Sequence, residues 1–328
     1  GITGPAAWAD PVQWDVYPGD SIQAAVDSAL DGDIVYVHEG TYNESVVIDG
    51  VDLSLIAVGP VTISPTSACL GHGDVIQVYN SVTTIEGFTI DANYSVSGCN
   101  GGIYARGCAA SGEGPVDVTV IGNNVSDYGK NGITVNCELA TGNIVDNNVV
   151  GAGPGVSKAQ NGIQLGYGAT GRVVRNTVDG NWYSGSGWTA SGVLIFESNG
   201  CMVRNNKIRN SQTGIAIESW CWLAPSANGN KIEGNVIQDA QWGVSVAAYG
   251  LAWSTCNASA DNNKVLMNTI TSTDGEVGIY VGAWVDEGLE FAPTADKNKL
   301  IRNRIKGFAE DIVDDGSATK AHANVPPY

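Results

Sequence analysis

Apolar and polar positions along this chain alternate in two short, interlocked phrases. In the first, an aliphatic residue is followed after two free positions by asparagine, then after one more by a second aliphatic. Val203-Arg204-Asn205-Asn206-Lys207-Ile208 is the clearest copy. The others are Val120/Asn123/Val125, Ile144/Asn147/Val149, Val173/Asn176/Val178, Ile232/Asn235/Ile237, Val265/Asn268/Ile270 and Leu300/Asn303/Ile305. Copies recur at roughly 24 to 35 residues, a period that belongs to a solenoid rather than to a single globular core. The second phrase is glycine, aliphatic, free, aliphatic. It runs from a weak copy at Gly102-Ile103-Tyr104-Ala105 through Gly132-Ile133-Thr134-Val135, Gly162-Ile163-Gln164-Leu165, Gly192-Val193-Leu194-Ile195, Gly214-Ile215-Ala216-Ile217 and Gly243-Val244-Ser245-Val246 to Gly278-Ile279-Tyr280-Val281.

Each period therefore predicts three short strands: one before the asparagine, one after it, and the glycine-led one. The first two are separated by a tight bend, and asparagine tolerates the left-handed backbone that such a bend demands. Stacked coil on coil, the asparagine amides are placed to hydrogen-bond along the axis as a ladder. Ordinary turn asparagines of separate hairpins would not explain the fixed aliphatic flanks at a solenoid period. Ahead of the array, Ile22, Ala25, Val26, Ala29 and Leu30 fall at helical spacing behind an Asp or Ser N-cap, predicting a short amphipathic helix that covers the open end of the core. The runs Ile34-Val35-Tyr36-Val37, Ser45-Val46-Val47-Ile48 and Leu53-Ser54-Leu55-Ile56, punctuated by Gly40, Gly50 and Gly59-Pro60, read as strands and turns.

This combination resembles the right-handed parallel β-helix superfamily typified by pectate lyase, and most closely its NosD-type repeats, over roughly residues 20 to 315. The opening Ser21-Ile22-Gln23-Ala24-Ala25-Val26-Asp27 through Glu39-Gly40-Thr41-Tyr42 is also similar to the start of pectin methylesterases, without that family's later catalytic segments. The resemblance implies an all-β fold, a single-stranded right-handed parallel β-helix with a short N-terminal capping helix. We divide the chain into an extended lead-in (1–19), the β-helix with its cap (20–316) and a C-terminal tail (317–328). Nine or ten coils at about 4.8 Å each give a rod on the order of 45 Å long.

Composition narrows the partners. The formal net charge of -18 with no evident basic patch disfavours nucleic acid. No apolar run reaches membrane-span length, and no basic-plus-apolar leader opens the sequence. Charged residues are 15% of the chain, so the surface must be built largely from Asn, Ser, Thr, Gly and aromatic side chains. Seven cysteines form no CxxC pair of the kind zinc or redox sites use. Registering the repeats brings Cys108 close to Cys137 on neighbouring coils, and Cys221 and Cys256 into loops of successive coils. Cys99 with Cys108 is a competing pair, and buried free thiols are the plain alternative.

Candidate chemistry follows from reading alternate positions of the glycine-led strands, whose aliphatics point inward. Outward stand Tyr104, Arg106, Glu218, Trp220, Tyr249 and Trp284, with Trp220, Tyr249 and Trp284 at one register on three successive coils. Tyr167, Trp222 and Trp253 lie in the following loops, and Tyr128, Trp182, Tyr183, Trp188 and Trp242 in the loops that enter the strands. Such an aromatic strip suits the apolar faces of sugar rings, and the resemblance places a carbohydrate cleft on this face. Packing of loops onto the rod, or a subunit contact, is the other reading. Glu197 and Glu218 on adjacent coils are a candidate carboxylate pair for glycoside hydrolysis, although their strand positions have opposite parity. A uronate lyase would want an Arg or Lys base, often with calcium; Arg106 and Lys130 sit on this face, without an evident carboxylate cluster to define a metal site. Gly71-His72-Gly73 and Arg304-Ile305-Lys306 match two polygalacturonase fragments but lack the intervening aspartate motifs. Asn43, Asn93, Asn124 and Asn257 match the common glycosylation pattern. The sequence thus points to a secreted or cell-surface protein that binds, and if an enzyme hydrolyses or cleaves, an extracellular polysaccharide. A non-catalytic structural protein of an envelope or sheath, self-associating through cysteines, is the alternative.

Overall fold

The computed structural model describes residues 11–93, 95–96, 98–155, 158–252, 256–286 and 292–324. Trp8, Trp253 and the Pro326-Pro327-Tyr328 end lie outside them.

Each coil has three strands, as the two phrases predict. One coil runs through Asn131–Asn136, Ala140–Val145 and Asn148–Val150, and the next begins at Asn161–Gly166. Every strand pairing is parallel and joins equivalent positions of successive coils: Val203 lies between Val173 and Ile232, and Ile215 between Val193 and Val244. The result is a parallel β-helix. Its core is a continuous column of inward aliphatics such as Val203, Ile208, Ile215 and Ile217, all at most 1% exposed. Burying each of them contributes about 1.5–3 kcal/mol.

The asparagine phrase does form a ladder. The Asn206 carboxamide oxygen accepts from the Asn176 backbone N–H at 2.8 Å and from its side-chain amide at 3.0 Å, while its own amide donates to Val173 O and Asn235 Oδ1, both at 2.9 Å. The same pattern passes from Asn123 through Asn147, Asn176, Asn206, Asn235 and Asn268 to Asn303. One expectation is corrected. The left-handed residue is not the ladder asparagine but the one before it, as at Asp146, Arg175, Asn205, Met267 and Arg302. The bend thereby turns the next side chain inward, where the two N–H donors and the twice-accepting oxygen of an amide match the four bonds the corner makes. A second, shorter ladder, Asn230, Asn263 and Asn298, occupies another corner.

The glycine of the second phrase is explained by packing. A Cβ on Gly192 would lie 2.5 Å from Ile208 Cγ2 and 2.8 Å from Gly214 O; Gly214 and Gly243 are crowded in the same way by Ile237 and Ile270. Thus the two phrases interlock: the glycine makes room for the aliphatic after the asparagine. Gly192→Ala should destabilise the protein by about 1–3 kcal/mol, and combining it with Ile208→Ala, which removes Cγ2, should cost less than the two single changes added together. Thermal melts of the single and double variants check this.

The capping helix spans Ile22–Ser28, with the Ser21 hydroxyl accepting from Ala24 N, and buries Ile22 and Val26. Glu44 holds its N-terminal end, accepting from the N–H groups of Ile22 and Gln23. Leu30 departs from the predicted face: the helix has already ended, and Leu30 is 66% exposed. At both ends solenoid pairing runs beyond the boundaries expected for it. Gln13–Val16, within the lead-in, pairs with the strand from Asp33, and Lys320–His322, within the tail, pairs with Lys299–Ile301.

Candidate functional site

The outer face of the glycine-led sheet carries a groove of about 640 Å³ lined by residues that include His72, Asp74, Tyr104, Lys130, Lys158 and Trp188. It runs into an adjoining hollow of about 210 Å³, where Asn136, Gln164, Phe196, Glu218 and Trp220 are exposed to the cleft. Tyr167 and Trp222 line both. The floor is an amide network: Gln164 Nε2 donates to Asn136 Oδ1 at 3.0 Å, and Asn161 Nδ2 to Asn131 Oδ1 at 3.2 Å. Walls of aromatic rings over a floor of amides match the two kinds of surface on a sugar, its apolar face and its hydroxyl rim.

The aromatic strip forms in the predicted register. Trp188 stacks on Trp220 with centroids 5.0 Å apart and planes 11° apart, and Trp220 meets Tyr249 at 5.2 Å. Tyr249 pairs in register with Trp284 on the next coil, which carries the strip past the groove. Tyr128 goes elsewhere: it is fully buried in the core, its hydroxyl donating to Asn181 Oδ1 at 2.6 Å.

The two glutamates take different parts. Glu197 is fully buried, and its carboxylate accepts the backbone N–H groups of Trp222, Leu223 and Ala224 at 2.5–2.9 Å and that of Trp220 at 3.3 Å. It shapes the loop that presents Trp220 and Trp222, and with its oxygens so committed it faces no substrate. Glu197 follows the end of its strand in the left-handed conformation, which turns its carboxylate under the next loop and away from the groove that Glu218 faces, so the pair expected for hydrolysis does not assemble. Glu197→Gln should loosen this loop and speed amide exchange at Leu223 and Ala224 about tenfold or more without unfolding the β-helix. Amide exchange read alongside a thermal melt checks this.

Glu218 does face the groove. Burial pushes its carboxyl up to about 7, against the Trp220 indole N–H that donates to Oε2 at 3.1 Å and the charge of Lys130. Lys130 is pushed down to about 8 by burial and by the neighbouring charge of Lys158. Lys130 Nζ donates to Ala159 O at 2.6 Å, and Lys158 to Asn100 Oδ1.

At the other end of the groove stands a group that sequence reasoning missed. Asp74 is 7% exposed, no hydrogen bond reaches its carboxyl oxygens among the described residues, and burial raises it to about 7. It rests against Gly101, where a Cβ would come within 1.8 Å of Oδ1. Beside it His72 stacks on Tyr104 at 4.7 Å, and Arg106 Nη1 lies 2.8 Å from His72 Nε2. A guanidinium only donates, so Nε2 accepts and the proton sits on Nδ1. Burial first, then the Arg106 charge, lower the His72 pKa and keep the ring neutral. Arg106 is braced by Glu113 at 3.3 Å and so acts on the groove through His72. A neutral imidazole, a carboxyl poised near neutrality and a phenol in one cleft are equipped for proton transfer. Register offered a signal for Asp74: it is level with Gly101 and Asn131, one coil before the glycine phrase becomes recognisable. Asp74 and Glu218 are five strands apart on one sheet, about 24 Å, far beyond the spacing of a glycosidase carboxylate pair.

Three disulfides hold the loops on this side. Cys108–Cys137 and Cys221–Cys256 form as anticipated, and Cys99 pairs with Cys69 rather than with Cys108. Cys221 stands between Trp220 and Trp222, and Cys108 lies two residues after Arg106. Among the described residues no group of three or more His, Cys, Asp or Glu side chains is placed to hold a metal ion, and no helix is long and apolar enough to cross a membrane.

A solenoid whose strands all pair in parallel from coil to coil defines the class: a parallel β-helix. Residues 74–270 match the family model described as "Right handed beta helix region", and the chain belongs to that family. Among solved structures it is similar to a polygalacturonase from Erwinia carotovora ssp. carotovora (12% identity, TM-score 0.57, covering 99% of this chain and 100% of that one). It is also similar to the catalytic domain of a GH87 alpha-1,3-glucanase in complex with tetrasaccharides (11%, 0.55, 97% and 70%) and to a mutant of the periplasmic alginate epimerase AlgG (15%, 0.51, 90% and 77%). At these identities the likeness establishes the fold. No curated protein sequence gives a significant match.

Proposed function

We propose that this protein binds an extracellular polysaccharide in the groove and processes it by proton transfer at the end where Asp74, His72 and Tyr104 meet. The observation that carries the reading is the buried Asp74 carboxyl, which faces an aromatic-walled cleft without a hydrogen-bond partner among the described residues. A carboxyl held near neutrality with its oxygens open to a cleft is a candidate for proton transfer. Lys130 and Lys158 supply positive charge for an acidic sugar, and Trp188, Trp220 and Trp222 supply ring faces. The polysaccharide-acting names of the structural neighbours agree with this reading. Three disulfides suit an oxidising compartment, so secretion or surface display is part of the proposal. The sheath alternative loses the support that cysteine pairing between copies would give it, since six cysteines pair within the chain and Cys201 is buried.

A glycan array followed by product analysis of the bound polymers by NMR tests this. Asp74→Asn should retain binding and lower turnover by about 10²–10⁴-fold. Absence of any saccharide binding would refute the proposal, and full turnover by the variant would remove Asp74 from it.

A further inference from the structure

The charges along the groove are not evenly spread. Its first half holds the cations Arg106, Lys130 and Lys158 in or beside the cleft, together with the neutral ring of His72. Beyond them, the strands Ser191–Phe196, Thr213–Ser219 and Trp242–Gly250 and residues 274–285 contain no Lys or Arg at all. What they do contain is carboxylate and aromatic. Glu218 faces the cleft, Glu276 accepts from Trp242 Nε1 at 3.1 Å, and the Tyr280 pKa, raised first by burial, is raised further by the charge of the nearby Asp315. Trp242 and Tyr280 meet edge to face at 5.5 Å in a second apolar cluster on the outer face. Trp284, 56% exposed, ends the strip. A uniformly anionic polymer laid along the axis would have its acid groups over this carboxylate-bearing half, whose described strands carry no Lys or Arg to compensate them.

Resting on the reading above, we infer that the ligand is a charge-segregated glycan. An acidic sugar sits between Lys130 and Lys158, and neutral sugars run from there over Trp220, Tyr249 and Trp284. The rise per coil, about 4.8 Å, is close to the length of one pyranose unit in an extended chain, so successive neutral units meet successive rings. Lys130, crowded by Lys158, gains most from an anion placed between them, whereas the aromatic half offers stacking that needs no charge.

Three probes titrated calorimetrically against the whole protein decide the matter: hexagalacturonate, cellohexaose, and a xylo-oligosaccharide bearing a single glucuronate. The last should bind about tenfold or more tighter than either of the others. Replacing Lys130 and Lys158 by Met should reduce it to about the affinity of cellohexaose, the neutral probe. Trp284→Ala should weaken the branched probe and cellohexaose alike, and leave hexagalacturonate unchanged. Tightest binding by hexagalacturonate would overturn charge segregation while leaving the polysaccharide reading intact. Equal binding of cellohexaose and the branched probe, unaffected by the double Lys variant, would overturn it also. If none of the three binds and the glycan array is blank, the broader reading falls and takes this inference with it.

Discussion

Asn206→Ala should destabilise the β-helix by about 3–5 kcal/mol, a large part of the stability of an ordinary domain. The side chain closes three bonds to the preceding coil and one to the next: it accepts from Asn176 N and Nδ2, and donates to Val173 O and, on the next coil, to Asn235 Oδ1. All of these partners are buried, and no water reaches them to replace what alanine removes. The lost bonds matter less than the orphaned Asn176 N–H and Val173 carbonyl left in an apolar corner. Asn206→Asp is the sharper control. Its carboxylate still accepts from Asn176, but it faces Val173 O and Asn235 Oδ1 with no proton to give, so at neutral pH it should be at least as damaging, and acid should relieve part of the loss. Urea midpoints for both variants, with amide exchange at Asn176, read the effect; a change below about 1 kcal/mol would mean that the ladder follows the coil rather than holding it.

The scaffold was legible because it repeats. Seven copies of one phrase fix where each coil turns, and the register then places Trp220, Tyr249 and Trp284 on one line without any tertiary information. What repetition conveys poorly is anything that departs from it. Asp74 stands where later coils carry glycine, asparagine or serine, so the pattern passes over it as a defective copy. Lys158 and His72 lie in loops whose lengths vary from coil to coil, and only folding brings them into the cleft. Glu197 shows the converse hazard. An acidic residue beside an aromatic strip reads as chemistry, yet the left-handed backbone at Glu197 sends its carboxylate under the next loop.

Binding of an acidic saccharide in the groove should be strongest in mildly acid solution and fall as the pH rises from about 6 to about 9. Three groups set the sign together. Glu218 and Asp74, both raised to about 7, become anionic above that pH, and Lys130, lowered to about 8, loses its positive charge just beyond it. Each change makes the cleft less hospitable to an anion. Folding is linked in the same direction for the carboxyls. Their folded pKa lies above the unfolded one, so the stabilisation from the retained proton is complete below about 4 and is lost as pH rises through 7. Trp220 ties this titration to the aromatic wall. Its indole N–H favours the ionised form of Glu218, so Trp220→Phe, which keeps a ring against Trp188 but removes that donor, should move the midpoint of the binding profile to higher pH. Trp220→Ala removes the ring as well and should cost about 100-fold in affinity at any pH. Affinity measured across the pH range for the three proteins separates the terms. A flat profile in the parent would exclude Glu218, Asp74 and Lys130 from contact with the ligand, and an unshifted midpoint in Trp220→Phe would show that Glu218 titrates apart from the binding surface.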